Sequence, residues 1–479
     1  MPDSKTKTID PISRVISGGY CVGCGGCAVA DPTIQISLNQ FGQYQANPSE
    51  DSAPKAEASK VCPFADGNPN ETQLAEALFS NHASFDEHIG YHIATYAGWV
   101  SEDTFRTNGS SGGMGSWILC ELLEQGLVDR IVHVGPIDRD SDSSPLFGFQ
   151  ISSSAEEVRR NSRSHYYPIE YSQTIRQLLD EKLTFAVVGI PCFIKSLRLL
   201  ARQMPELHER MVYAVGLVCG HLKSTAFAEL LAWQCDITPK QLQSINFRSK
   251  IEGQKASDYG VKATGLVDGK TVERAESNRN LYGSNWGLGF FKYKACEFCD
   301  DVMAELADIT IGDAWLPKYE QDHRGTNLVI TRNPDLEAIC HHAKQANRIH
   351  LERISIDDTI ASQDAGFRHR RDGLAYRLHM EKQNGNWHPN KRMEPGFSHL
   401  NKRRRRLLSL RYRMSQESHD AFLEAKTASD IKVFINRMHP ISNAHGLLCL
   451  SGSRAFIVRV KQLAASTLKR LRRSKSQPR

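Results

Sequence analysis

The chain lacks long apolar runs. No stretch of about 18 consecutive apolar residues occurs among its 479 residues, so no membrane-spanning helix is expected. The first fourteen residues are polar and hold no apolar core, so they do not read as a secretory leader. Aromatic residues make up only 8% and do not interleave with the basic ones, which ranks nucleic acid last among candidate partners. No internal repeat is visible, which argues against a solenoid or array. Acidic residues are scarce in one region only. From Gly366 to the end there are 26 Lys and Arg against 7 Asp and Glu, whereas the first 365 residues carry 34 against 47. The overall net charge of +6 therefore conceals an acidic body and a strongly basic tail.

Cysteine is present, but its distribution does not suggest disulfides. Twelve cysteines in a long chain without a leader do not read as a disulfide framework, and a cytoplasmic protein is expected. Cys120 and Cys235 sit in apolar helical patterns, where a thiol packs as a small hydrophobe. Cys340 and Cys449 stand alone. The other eight fall in motifs.

Cys21-x2-Cys24-x2-Cys27 places three thiols in one short loop, and the distant Cys62-Pro63 supplies a fourth. This spacing is that of bacterial ferredoxins and points to a [4Fe–4S] cluster. Gly23, Gly25 and Gly26 allow backbone angles that turn amides toward sulfur. Four thiolates also suit zinc, which is the rival reading.

Downstream, apolar strands alternate with amphipathic helices. Helices are expected over Met114 to Gln125, Tyr171 to Leu179, Phe193 to Ala201 and Thr225 to Trp233. Strands are expected at Ile131 to Val134, Phe185 to Val188 and Val212 to Leu217. The pattern predicts an α/β fold, α+β in parts, with a parallel component in its sheet. Residues of about 66 to 90 read as a helix and linker. Beyond Gln243 the pattern turns β-like, with strands at Ile309 to Ile311 and Leu328 to Ile330 and a helix near Asp335 to Ala346. Within the tail, Lys402 to Arg406 is a charge run, and Ala455 to Leu471 reads as an amphipathic basic helix.

Two features mark candidate sites in this region. Cys192 and Cys219 each follow a buried strand, and in open α/β sheets ligands bind beyond the carboxyl ends of strands. Cys296-x2-Cys299 could close a four-cysteine site with them, although core packing for Cys192 and Cys219, with zinc or nothing at Cys296-x2-Cys299, stays open. The loop Arg106 to Gly113 precedes a helix, is rich in small residues and presents amides suited to phosphate. It matches no standard nucleotide fingerprint, so a flexible loop with a cap is the other reading. Arg248 and Lys250 could bind an anionic cofactor tail, although two charges on a strand are usually solvated, and Asp313 reads as a strand terminus more than as a catalytic acid.

Several segments together resemble one family, the beta subunits of coenzyme F420-reducing hydrogenases and dehydrogenases. That family also takes in 7-hydroxymethyl chlorophyll a reductase and the iron–sulfur type of divinyl chlorophyllide vinyl reductase. The matching segments are Cys21-Val-Gly-Cys-Gly-Gly-Cys27, Asn108-Gly-Ser-Ser-Gly-Gly113, Ser164-His-Tyr166, Gly189-Ile-Pro-Cys192, Gly216-Leu-Val-Cys-Gly220, Phe247-Arg-Ser-Lys250, Cys296-x2-Cys299-Asp300 and Ala307 to Asp313, in family order.

The resemblance implies FAD and iron–sulfur clusters in a pair of α/β domains. It implies FAD contacts from Asn108, Gly109, Ser110, Ser111, Gly112, Gly113, Ser164, Tyr166, Gly189 and Pro191, and a second cluster on Cys192, Cys219, Cys296 and Cys299. His165, Ile190 and Phe193 stand where the family more often has Lys, Thr and Gln, near the implied flavin and substrate pocket. His165 and Tyr166 are the candidate proton donors, with FAD positioning as their other role. The expected layout is a ferredoxin-like module and linker over 1–90, an FAD-binding domain over 91–180, a second-cluster domain over 181–365 and a basic helical tail over 366–479. The expected activity is flavin-dependent oxidoreduction of a deazaflavin or other small molecule, with a ferredoxin-like partner. An electron-transfer component serving a separate enzyme is the rival class. The tail could touch an anionic membrane surface at the inner face through Phe456, Val460, Leu463, Leu468 and Leu471, bind an acidic partner, or stay solvated.

Overall fold

A computed structural model describes residues 10–49, 53–138 and 144–450. Its centre is an eight-stranded mixed sheet. The strand order is Ile349–Arg353, Ala94–Val100, Asn327–Thr331, Ile309–Asp313, Met211–Leu217, Phe185–Gly189, Arg130–Pro136 and Phe147–Ser152. Four central strands, beginning at Ile309, Met211, Phe185 and Arg130, run parallel. Strands at both edges run antiparallel to their neighbours. The parallel strands are the apolar runs picked out in the sequence, because burial on both faces selects Val, Ile and Ala at successive positions. Helices Met114–Glu124, Pro191–Ala201 and Pro334–Gln345 cover the sheet, and each buries an apolar stripe.

Pairing places the ends of the Phe185 and Met211 strands side by side, with Gly189 opposite Gly216. The segments that carry Cys192 and Cys219 therefore leave the sheet together. A three-stranded antiparallel sheet, Leu242–Ser249, Gly260–Val267 and Lys270–Ser277, stands apart from the central one. Its last hairpin turns at Asp268-Gly269, both with positive φ, as a two-residue turn requires.

The N-terminal segment is loop-rich, with short helices at Pro11–Ser17 and Gly26–Ala30 and the hairpin Ile34–Leu38 with Tyr44–Pro48. The stretch read as a helix and linker holds the helix Glu71–Phe79, started by a capping box between Asn70 and Gln73. It also holds a small hairpin, Ser84–Asp86 with Gly90–His92, whose three-residue strands are too short to show a period.

The basic region departs most from its sequence reading. Helices Asp364–Arg370 and Asp372–Gln383 pack into the body, and Arg370 is 1% exposed. Helices Lys402–Ala428 and Ile431–Cys449 form an antiparallel pair turned at Ser429, which has φ 51°. Phe422 lies 5.3 Å from Phe291 and Phe434 lies 5.6 Å from Phe290, ring centre to ring centre. Up to Leu450 this region is thus part of the core and not a solvated tail. Apolar residues of the long helices recur at helical spacing on one face, while some of the basic residues, Arg370 and Arg377 among them, are themselves buried. The basic helix expected over Ala455 to Leu471 lies outside the described residues. No helix among the described residues is long and apolar enough to cross a membrane.

Candidate functional site

Cys21, Cys24, Cys27 and Cys62 converge on one small enclosed pocket walled by Ile12, Val15, Ile36 and Phe64. Gly23 has φ 64°, and a Cβ there would meet the Tyr44 carbonyl oxygen at 2.3 Å, so only glycine fits. The resulting turn aims amides at sulfur: Gly23 N–H and Ala46 N–H each donate to Cys21 Sγ at 3.4 Å. Burial pushes the Cys21 thiol up to about 11 and the Cys62 thiol up to about 12, against the pull of backbone N–H donors. Burial also holds Cys27 well above its ordinary value, helped by Cys21, Cys24 and Cys62. Thiols so placed are natural ligands for a group that takes up their negative charge.

The second set also assembles. Cys192 is the second residue of the helix Pro191–Ala201, Cys219 follows the Met211 strand, and Cys296 and Cys299 flank the end of the short helix Lys294–Glu297. Burial raises Cys192 well above its ordinary value, with Cys299, Cys296 and Cys219 all within electrostatic reach. Leu222 N–H donates to Cys296 Sγ at 3.3 Å, and Arg370 Nη1 donates to Cys299 Sγ at 2.9 Å. Arg370 comes from the basic region, and no sequence pattern announced it.

The two sets are joined by one helix. Ser196 lies one turn after Cys192, which places their Cβ atoms about 5–6 Å apart. Cys24 Sγ donates to Ser196 Oγ at 3.4 Å, Tyr171 OH donates to the same oxygen at 2.7 Å, and Ser196 Oγ donates to the Val61 carbonyl at 3.1 Å. Among the described residues no group of three or more His, Cys, Asp or Glu is arranged to hold a single metal ion. A zinc ion needs each sulfur about 2.3 Å from one point. A four-iron cluster binds each thiolate to a different iron, so its sulfurs stand farther apart. The amide-to-sulfur donors and the shared pocket fit such a cluster.

Beyond the strand ends lies a cavity of about 810 Å³. Its wall includes Gly109, Ser110, Ser111, Gly113, Ser164, His165, Tyr166, Gly189 and Cys219. Of the other residues singled out in the sequence, Asn108 ends the short helix Phe105–Asn108 and donates to Thr104, Gly112 packs against Gly98 and Asn327, and Pro191 starts its helix. The loop is held from several sides. Ser110 Oγ accepts from Ser164 N–H at 2.9 Å, Lys250 Nζ donates to the Ser111 carbonyl at 2.9 Å, and Arg106 donates to the Gly325 carbonyl at 2.8 and 3.1 Å. The first N–H of the helix Met114–Glu124 is taken by Asn327 Oδ1 at 3.0 Å, while Gly115 and Ser116 line the cavity.

Gly113 has φ 87°, and a Cβ there would meet the Phe105 carbonyl carbon at 2.7 Å. Gly113→Val is therefore expected to destabilise the fold by at least about 1–3 kcal/mol, seen as a lowered unfolding midpoint. An unchanged midpoint would show that the loop does not need this geometry.

Arg248 is buried rather than solvated, and it pairs with Asp313 at 2.7 Å. Burial would weaken the Arg248 charge, but Asp313 and Tyr166 outweigh it and hold the guanidinium firmly protonated. Burial pushes His165 down to about 4, so it is neutral at pH 7. Burial raises Tyr166 above its ordinary value, so it keeps its proton. His165 Nε2 and Arg248 Nε line the wall without a partner, and with the loop they fit a large polar ligand such as a flavin dinucleotide. Sequence reasoning missed Trp286, His221, Lys223, His369 and Arg411 in this wall. His221 and Lys223 follow Cys219-Gly220 closely, which was the only cue in the sequence.

Thiol clusters beside a large cavity at the ends of parallel strands describe an electron-transfer protein with a ligand site. The chain belongs to the family of coenzyme F420 hydrogenase/dehydrogenase beta subunits. Residues 95–176 match the family model for the N-terminal part of these beta subunits, and residues 183–357 match the model for their C-terminal part. One component of the F(420)H(2) dehydrogenase of Methanosarcina mazei is 22% identical over 319 residues, covering 64% of this chain and 79% of that protein. The coenzyme F420-dependent sulfite reductase of Methanocaldococcus jannaschii is 21% identical over 350 residues, covering 72% of this chain and 49% of that protein. This chain therefore spans about half of the latter. A chain in a xenon-derivatised F420-reducing [NiFe] hydrogenase complex from Methanosarcina barkeri superposes with a TM-score of 0.46 at 14% identity, covering 63% of this chain and 96% of that one.

Proposed function

We propose that this protein is an iron–sulfur flavoprotein oxidoreductase that holds two [4Fe–4S] clusters and FAD. It acts on a deazaflavin or another reducible small molecule and exchanges electrons with a ferredoxin-like partner. One observation carries the reading: Cys219 lines the large cavity, while the Cys192 helix reaches Cys24 through Ser196. Both thiol sets and the ligand cavity are thereby contiguous. Clusters carry single electrons and a flavin supports two-electron chemistry, so together they join the two kinds of carrier. The family's hydrogenase and dehydrogenase names and both relatives point to oxidoreduction.

The chain's own residues supply placement and protons. The Ser110 to Gly113 loop is suited to hold phosphate oxygens, and Lys250 fixes its carbonyls on the far side. The Arg248–Asp313 pair gives the wall a fixed charge distribution next to Tyr166. Tyr166, protonated and buried, is the better proton donor. His165 can donate only from the N–H of a neutral ring.

Anaerobic purification followed by iron, sulfide and flavin analysis tests the reading. About eight irons and one FAD per chain are expected. A colourless preparation without iron or flavin would sink it. If the bound flavin is reduced only when a separate protein is added, the chain serves as an electron-transfer component and not as a stand-alone reductase.

A further inference from the structure

One part of the cavity wall gathers four basic side chains. His221, Lys223, His369 and Arg411 all line it. Lys223 is 1% exposed. Its ammonium donates to the Phe290 carbonyl and lies over the rings of Phe227 and Trp286, at 4.4 and 5.0 Å. Neither Lys223 nor Arg411 forms an ion pair among the described residues. His221 Nε2, His369 Nδ1 and Arg411 Nε are buried without hydrogen-bond partners. His369 is 5% exposed, and its other nitrogen sits 3.3 Å from Glu297.

Glu297 is already shared with Lys292 and Arg377, so it cannot neutralise the group. Three orphaned nitrogens around one void are costly unless an acceptor such as an anion joins them. These groups lie away from the glycine loop. Ser110 holds Ser164, Tyr166 follows two residues on, Trp286 packs 4.7 Å from Tyr166, and His221 packs 4.3 Å from Trp286. The loop and the cations are thus two aromatic rings apart, too far to grip one phosphate group together. His369 and Arg411 also come from helices beyond residue 357, outside the family match.

We propose that His221, Lys223, His369 and Arg411 form an oxyanion subsite that holds a carboxylate or phosphate of the small-molecule substrate. The planar Arg411 guanidinium supplies paired donors, and Trp286 and Tyr166 flank the apolar part of the same molecule. The subsite deepens the flavoprotein reading and rests on it for the identity of the bound molecule as a substrate. It also makes the C-terminal helices a determinant of specificity.

The test is calorimetric titration of the purified full chain with sodium phosphate and with sodium succinate. Wild type, Arg411→Gln, Arg411→Lys and the surface control Lys318→Gln are compared, with flavin content and unfolding midpoint measured on each. Saturable binding of at least one anion is expected, weakened tenfold or more by Arg411→Gln, less by Arg411→Lys and not by Lys318→Gln. The anion that binds more tightly names the substrate group. Should Arg411→Gln fail to fold, Lys223→Met carries the same comparison. No binding of either anion to wild type, or wild-type binding by Arg411→Gln, overturns the subsite. Loss of flavin together with anion binding in Arg411→Gln also overturns it, because the cations would then serve the flavin. A wild type that binds anion but carries no flavin would defeat the flavoprotein reading while leaving the subsite standing.

Discussion

Replacing Arg392 with methionine is expected to destabilise the protein by about 3–5 kcal/mol, the usual cost of stripping a partner from buried charges. Arg392 Nε lies 3.1 Å from Asp300, its two terminal nitrogens lie 2.7 and 2.8 Å from the Glu305 carboxylate, and Glu71 stands at 3.9 Å. All three acids are buried, and Lys195, Lys391 and Arg371 would remain among them. The effect depends on pH in a defined direction. In the wild type, burial would raise Asp300, but Lys391 and Arg392 outweigh it and hold the carboxyl well below its ordinary range. That depression contributes stability above about pH 4, which is lost as pH falls through the folded value. Without Arg392 the folded carboxyl binds its proton more tightly, so the deficit should be largest near about pH 7 and shrink only as pH falls below about 4, toward the depressed wild-type value. Denaturation midpoints measured across that window check this. A deficit that is the same at both ends would show that the loss is packing and not charge.

The second large effect concerns iron. Cys24→Ala is expected to remove about four of eight irons per chain and leave flavin content unchanged, since Cys24 lies outside the cavity wall. Cys296→Ala should remove the other four, and the double variant should hold none. Cys120→Ala, in a helix remote from both sets, should alter nothing. On the proposed reading Cys219→Ala should disturb iron and flavin together, because Cys219 lies near Cys192 and also lines the cavity. Chelating the iron should also lower the unfolding midpoint of the N-terminal module, where short elements bury little without the cluster. Full iron in Cys24→Ala would remove Cys24 from the ligand set and with it the ferredoxin-type reading of that loop.

Some of this was legible because it is local. The Cys21 to Cys27 spacing, the glycines that turn it, and the apolar runs of the Phe185 and Met211 strands are properties of consecutive residues. The pairing of those two strands could be inferred from their alternation with helices, and it brings Cys192 and Cys219 to the same sheet edge. The burial of Arg248 was not legible, for the opposite reason. Its burial depends on Asp313, 65 positions away, and no local pattern connects the two.

The sequence by itself determined the grouping of the cysteines, the parallel core and the family, since each rests on short spacings or on periodic burial. Only the tertiary structure decided what the basic C-terminal region is. Composition described it by its charge, but up to Leu450 its helices bury one apolar face and send Arg370 to Cys299 and Arg411 into the cavity. Charge counts average over a helix, whereas folding sorts its faces. A side chain's role at a site is set by which face meets the core, and that requires the contacts of the whole chain.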